Sequence, residues 1–312
     1  PALVAALVTA PSPSGTPHQN LESPPPAPHP PPSVNPDHAT VAEANRRFYA
    51  RIADLYDRTE SCVADPEAQA ELEQDIDHLL RVLGRPASEL HALDACAGSG
   101  NVALKLLARG FQVTVADISP ELLRILAGKA RALGREPGQH CGEIARFLET
   151  TDLRFDLVTF SSALHHLQDI DRVLRLVYQR LRPGGLLFTL HDPTSRASQG
   201  RLTPALLRLE YFTFKFLKQP LDVPAAAWRR LRRGFHRGQP GAELAEENLG
   251  VLAEYHIREG IDDLALVGRM QQAGYELVRH ERMHGARFGP TRALVRWLGQ
   301  PTGFKLLLRR PA

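Results

Sequence analysis

From Leu90 to Asp192, short apolar runs alternate with segments whose apolar residues recur at helical spacing. The runs predict strands near 90–95, 111–117, 137–141, 155–161 and 185–191. Between them the spacing predicts helices near 101–109, 119–134, 143–149 and 169–181. Such alternation implies a doubly wound α/β fold, a mostly parallel sheet with helices on both faces. Upstream, Phe48, Ile52, Leu55 and Tyr56 predict one helix over 40–59. Asp65-Pro66 opens a second helix, which Gly84 and Pro86 close after Leu83. Downstream the rhythm breaks. Leu202 to Lys218 is apolar and aromatic on most faces, a pattern that requires burial or a partner. Ala225 to Arg237 carries Trp228, Phe235 and Arg229, Arg230, Arg232, Arg233 and Arg237, and Ala242 to Arg258 reads as a mixed-charge helix. Residues 193–258 are therefore expected to form a helical cap inserted after the fifth strand. A helix over 261–273 and strands over Tyr275 to Met283 and Gly303 to Arg310 complete a seven-stranded sheet.

The candidate chemistry sits at the first two strand ends. Strand one ends in Asp94, and Cys96-Ala97-Gly98-Ser99-Gly100 follows; strand two ends in Asp117. Gly98 and Gly100 allow a tight turn and a close backbone approach to a ligand. An acid placed like Asp117 accepts hydrogen bonds from ribose hydroxyls, although it could instead cap the helix that follows. The stretch Gly98 to Ala103 also satisfies G-x-G-x-x-A, the nicotinamide dinucleotide fingerprint. Three features weigh against that cofactor. Asp94 would repel a pyrophosphate, whereas the cationic end of S-adenosylmethionine suits an acid. Phe155 to Phe160 reads as a buried strand with Asp156 near its start, and Leu181-Arg182-Pro183-Gly184-Gly185 reads as a helix end and turn before a fifth strand.

Together these residues resemble the class I S-adenosylmethionine-dependent methyltransferases, and in particular the ubiquinone/menaquinone-biosynthesis-like small-molecule members. The resemblance covers roughly 40–192 strongly and 261–310 more loosely. It implies S-adenosyl-L-methionine as cofactor and a final antiparallel strand pair. It further implies that Asp94, Cys96, Ala97, Gly98 and Gly100 form the cofactor turn, with Cys96 where the family usually has Gly. Asp117 would hold the ribose, Ile118 would pack on adenine, and Glu143 and Ile144 would lie near the adenine amino group. Tyr56 would close the site from an N-terminal lid helix, with Tyr49 on the same face, and Ser161 would border the cofactor after strand four.

Methyl transfer is an in-line displacement that needs positioning, water exclusion and, for oxygen or nitrogen acceptors, a base. His165 and His166 leave strand four, and His191-Asp192 ends strand five; imidazole is the natural base near neutral pH. Each has a plainer reading, a structural histidine or a turn before Pro193. Glu254-Tyr255-His256 is a weaker candidate in the cap. Ser161-Ser162-Ala163 stands where Asn-Pro-Pro-Tyr orients an amide or nucleobase nitrogen, which argues against DNA adenine and protein glutamine targets. The aromatic helix favours an apolar, aromatic or lipid-like small-molecule acceptor, methylated on oxygen or carbon. A nicotinamide-dependent oxidoreductase and an RNA methyltransferase using the 229–237 arginines are the alternatives.

Composition narrows this further. The 312 residues are 43% hydrophobic with a net charge of +3, enough for a core and too little to imply a polyanionic partner. No specific nucleic acid is expected; a peripheral membrane contact or a homodimer through 202–237 is the expected use of the aromatic and arginine helices. Cys62, Cys96 and Cys141 show no metal spacing, so no metal is expected. Twelve of the 25 prolines fall in the first 37 residues, so residues 1–39 read as a disordered arm. Ala2 to Ala10 lacks a basic flank, and a cytoplasmic location is expected. The domain reading is an arm over 1–39, a cofactor core over 40–192, the cap over 193–258 and the last core elements over 259–312.

Overall fold

The computed structural model describes residues 38–200, 202–218, 259–286 and 288–312. Residues 1–37 of the arm and residues 201 and 219–258 of the cap, with the arginines of 229–237, Trp228, Phe235 and Glu254-Tyr255-His256, lie outside the described residues; the last two residues of the expected arm, His38 and Ala39, already belong to α1. The N-terminal helices are α1 His38–Ile52, α2 Tyr56–Thr59, α3 Ser61–Ala64 and α4 Pro66–Leu83. The alternating core follows as β1 His91–Ala95, α5 Asn101–Ala108, β2 Gln112–Asp117, α6 Pro120–Ala132, β3 Gly138–Cys141, α7 Ile144–Thr150, β4 Phe155–Ser161, α8 Ile170–Arg180 and β5 Leu181–Pro193. Then come α9 Arg196–Gln199, α10 Leu202–Lys218, α11 Asp263–Gln272, β6 Glu276–Met283, α12 Gly289–Trp297 and β7 Gly303–Arg309.

The seven strands form one sheet in the order β3-β2-β1-β4-β5-β7-β6. The first five are parallel, and β7 runs antiparallel to both β5 and β6. Strand order reverses between β1 and β4, so the loops leaving their carboxyl ends diverge and open a crevice there. Neighbouring strand residues bury on opposite faces. Leu93, Val158 and Leu187 pack with α7, α8 and α11. Ala92, Leu157, Leu186 and Phe188 pack with α4, α5 and α6. Both faces are apolar because both are covered by helices, as a parallel sheet requires.

Local signals set the helix ends. Asp65 caps α4 by accepting the Glu67 N–H at 2.9 Å, and Gly84 closes it in the left-handed conformation. Ser119 caps α6, so Asp117 does not serve as that cap. The single helix expected over 40–59 is instead broken: α1 ends at Ile52, a 3-10 turn spans Ala53–Leu55, and α2 restarts at Tyr56. The Pro-Gly-Gly segment is a bulge within β5. Phe155 pairs with Leu181 and Leu157 with Leu186, so the excess residues loop out where Gly184 takes a φ of +78°. Beyond β5, Thr194 bridges Ile261, whose N–H donates to the Pro193 carbonyl at 2.9 Å. The chain thus leaves the sheet after Pro193 and meets it again at Ile261. No helix among the described residues is long and apolar enough to cross a membrane.

Candidate active site

The turn after β1 is built around two carboxylates. Asp94 is 2% exposed. It accepts the Ala103 N–H at 2.9 Å and the Thr159 hydroxyl at 2.7 Å, tying α5 and β4 to the turn. Asp117 accepts the Gly98 N–H and the Ser119 N–H, both at 2.8 Å. Each Asp117 oxygen keeps a second lone-pair direction, and the residue lines a cavity. Burial raises Asp117 from the usual carboxylate range, opposed by those backbone donors. Gly98 and Gly100 hold φ of +54° and +94°. A Cβ on Gly98 would stand 3.2 Å from Tyr56 Oη, and one on Gly100 would strike Leu126 at 2.8 Å. Cys96 holds a φ of +56°, the conformation that explains a glycine preference here. Burial pushes its thiol far above its ordinary range, so it is not a ready nucleophile.

A narrow cavity of about 110 Å³ lies beside this turn, lined by Cys96, Gly98, Asp117, Ile118, Glu143, Ile144 and Ser161 among others. Its roof is the N-terminal lid: Val41, Asn45, Tyr49 and Tyr56 face it. The break after Ile52 brings the Tyr49 and Tyr56 rings edge to face, 5.9 Å apart. Asp57 fastens the lid. It accepts the Ser99 hydroxyl and pairs with Lys129 Nζ at 2.5 Å, while Lys129 also donates to the Ser99 carbonyl at 3.1 Å.

A wider cleft of about 830 Å³ adjoins the cavity, and Tyr49, Tyr56, Ser162 and His166 line both. At that shared wall Tyr49 Oη lies 3.0 Å from His166 Nε2. Behind it, His165 Nδ1 meets Asp192 Oδ1 at 2.8 Å, and the His165 N–H donates to the same oxygen at 3.1 Å. Asp192 is fully buried, and burial raises its carboxyl to about 7. His191 lines the cleft with φ +63°, and burial, with Lys305 adding, lowers its imidazole to about 4. Deeper in the cleft, Asp75 binds Lys305 at 2.6 Å and Arg279 at 2.7 Å, with Asp75 and Lys305 both buried. Among the described residues the cleft is lined by eight carboxylic residues against five lysines and arginines.

Residues 93–187 match the family model described as a methyltransferase domain. This core is a class I S-adenosylmethionine-dependent methyltransferase domain. The chain is 36% identical over 124 residues to the tRNA 5-carboxymethoxyuridine methyltransferase of Escherichia coli K12, covering 38% of this chain and 46% of that protein. It is 29% identical over 197 residues to a ubiquinone/menaquinone biosynthesis C-methyltransferase, UbiE, of Acidiphilium cryptum, covering 62% and 69%. The chain spans about half the length of the first curated relatives it matches. Magnesium protoporphyrin IX methyltransferase of Synechocystis, solved with S-adenosylhomocysteine, shares the fold at a TM-score of 0.54 and 13% identity, over 88% of this chain and all of that one.

Within the methyltransferase domain, the expected residues divide. Cys96, Gly98, Asp117, Ile118, Glu143, Ile144, Ser161 and Tyr56 line the narrow cavity. Asp94, Ala97 and Gly100 do not line it. Contrary to the expectation that Asp94 faces the cationic end of the cofactor, both its oxygens are engaged beneath the turn. Asp156 lies at the amino-terminal end of the central strand β4, away from the turn, tied to Arg85, Arg182 and the His91 N–H. His166 reaches the shared wall, whereas His165 and His191 line the wide cleft alone. Sequence reasoning missed Asn45, Ser162 and Gln168 in the narrow cavity and the Asp75–Lys305 pair. That pair did leave a signal: Asp75 interrupts the buried stripe Leu72, Ile76 and Leu79 of α4, and Lys305 stands in the apolar strand β7.

Proposed function

We propose that the chain transfers a methyl group from S-adenosyl-L-methionine to a small-molecule acceptor, on oxygen or carbon. The observation that carries this reading is the meeting of two cavities at Tyr49, Tyr56, Ser162 and His166. A transferring methyl has to pass across such a wall, and the two sides present different chemistry. The residues of the narrow cavity fit the nucleoside. Asp117 has acceptor capacity left for ribose hydroxyls, Ile118 and Ile144 offer apolar faces for adenine, and the Gly98 backbone approaches without a side chain in the way. The cofactor, when bound, supplies an electrophilic methyl on a sulfonium.

The protein's own contribution is then placement and proton handling. The Asp57 latch and the two tyrosines exclude water from the wall. Tyr49 holds the His166 ring there, and His166 takes the proton that an oxygen or activated carbon acceptor loses. The His165–Asp192 pair docks the loop after β4 on β5 and so positions His166. The free thiols of Cys62, Cys96 and Cys141 support a reducing, cytoplasmic setting.

The acceptor reading changes with the cleft. The expectation of an apolar, aromatic or lipid-like acceptor came from 202–237, but the described cleft lining is charged. We therefore assign an acceptor with a polar group directed inward. Likeness to a tRNA methyltransferase favours the RNA alternative, yet a cleft with more acids than bases repels phosphates. The full chain should be incubated with S-adenosylmethionine and either a small-molecule extract or an RNA fraction, and S-adenosylhomocysteine formation followed. Product with the small-molecule extract is expected; product with RNA alone would replace this reading.

A further inference from the structure

The three most exposed large apolar side chains among the described residues lie on one pair of helices. Leu202 and Leu209 on α10 are 60% and 65% exposed, and Trp297 on α12 is 81% exposed. Single exposed leucines are ordinary on a protein surface; three gathered on two adjoining helices are not. The pair runs antiparallel. The Thr203 hydroxyl donates to Gln300 Oε1 just past the end of α12, and Glu210 accepts the Phe288 N–H just before its start. Each helix turns an apolar stripe outward. On α10 the exposed stripe is Leu202, Ala205 and Leu209, at i, i+3 and i+7. On α12 it is Pro290, Ala293, Leu294 and Trp297, at i, i+3, i+4 and i+7, opposite the buried Val295.

Charge specifies what fits this face. On their other sides the same helices line the wide cleft, through Leu207 and Glu210 of α10 and Arg292 and Arg296 of α12. The carboxylates near the pair are engaged there: Glu210 by the Phe288 N–H, and Asp65 and Glu67 by Arg292 and Arg296. Two exposed arginines have no ion pair among the described residues. Arg208 adjoins Leu209, and Arg196 lies on α9, which packs beside α10. The outer face thus joins apolar side chains, one of them an indole, to uncompensated positive charge. An indole has an apolar body and a polar N–H, and beside arginine it suits the boundary between lipid headgroups and acyl chains. A second copy docked about a twofold axis would meet this face with the same unpaired arginines. An anionic headgroup neutralises them.

We propose that the outer face of α10 and α12 docks on an anionic phospholipid bilayer. It supplies the described part of the membrane contact expected through 202–237 and adds α12 to it. The test is co-sedimentation of the full chain with vesicles of phosphatidylcholine alone and of phosphatidylcholine mixed with phosphatidylglycerol. The native chain should bind the mixed vesicles at least about 10-fold more tightly than the neutral ones. Leu209→Ser combined with Trp297→Ser should weaken mixed-vesicle binding about 100-fold, and Arg208→Gln should weaken it about 5-fold. Both variants should keep the native urea midpoint, because the changed side chains are exposed; either single serine variant serves if the double one does not fold. Trp228→Phe leaves Trp297 as the one tryptophan of the chain. That variant should bind as the native chain does, and brominated acyl chains should quench its fluorescence. No binding to mixed vesicles, undiminished binding by the serine variants, loss of binding in Trp228→Phe, or an unquenched Trp297 overturns the assignment. So does a vesicle-free dimer, seen by light scattering, that the serine variants convert to monomer, since the face would then belong to a second copy.

Discussion

Asp117 ends β2 with each carboxylate oxygen bonded to a backbone N–H. Asp192, near the end of β5, has one oxygen bonded and, among the described residues, one without a partner. The same contrast runs through the two sides of the crevice. On the β1–β2 side the turn is braced by Asp94, the glycines fit their positive φ, and the lid is latched by Asp57. On the β5–β7 side His191 holds a positive φ and its ring nitrogens have no partner among the described residues, beside the ion cluster of Asp75, Lys305 and Arg279. A preformed site awaits a fixed ligand; a site with open polar atoms is completed by whatever fills it. The β1–β2 side is thus closed by its own hydrogen bonds, whereas the β5–β7 side leaves polar atoms open among the described residues.

The contrast can be broken from the acceptor side first. Asp75→Ala removes the counter-charge of buried Lys305 and should destabilise the fold by about 3–5 kcal/mol in urea denaturation. Lys305→Met should cost less, because Asp75 keeps Arg279. Equal losses would mean that the cluster is not organised around Asp75. At the shared wall, His166→Ala should lower turnover about 10²-fold with S-adenosylhomocysteine affinity unchanged. His165→Ala, assayed separately, should lower it less. Near-full turnover in both variants would remove the base from this loop.

The cofactor side yields smaller effects. Burial raises Asp94 from 3.8 to about 7, so the folded chain holds this proton more tightly than the unfolded chain. The stability linked to it is complete below about pH 4 and is lost as pH rises through about 7. Asp94→Asn should flatten that slope, reducing the stability difference between about pH 5 and pH 8 by about 1–2 kcal/mol. Some slope should persist, because Asp192 shifts in the same direction. An unchanged slope would mean that Asp94 stays ionised. Last, Cys96→Gly relieves a left-handed residue and should raise stability by about 1 kcal/mol, visible as a higher Tm. A lower Tm would show that the thiol's packing outweighs the strain.

Much of this was legible beforehand, and for definite reasons. The strands follow from apolar runs buried on both faces, and α4 from Asp65-Pro66 at one end and Gly84 at the other. The break after Ile52 was not legible, since Ile52-Ala53-Asp54 holds neither Pro nor Gly to mark it. Helix α12 was missed although Gly289-Pro290 opens it. The direction of Asp94 was misread because an acid at a strand end shows its position but not which way its carboxyl turns. The charged cleft stayed hidden because Asp75 and Lys305 stand 230 residues apart. Each looks like an isolated exception in its own helix or strand until the fold pairs them.

The central claim is that the cavity beside Gly98 and Asp117 holds S-adenosylmethionine. Calorimetric titration of S-adenosylhomocysteine and of NAD into the full chain and into Asp117→Ala tests it most directly. S-adenosylhomocysteine is expected to bind the native chain and NAD is not, and Asp117→Ala should weaken S-adenosylhomocysteine about 100-fold by removing the ribose's charged acceptor. Binding of NAD with none of S-adenosylhomocysteine, or equal S-adenosylhomocysteine affinity in both proteins, would contradict it.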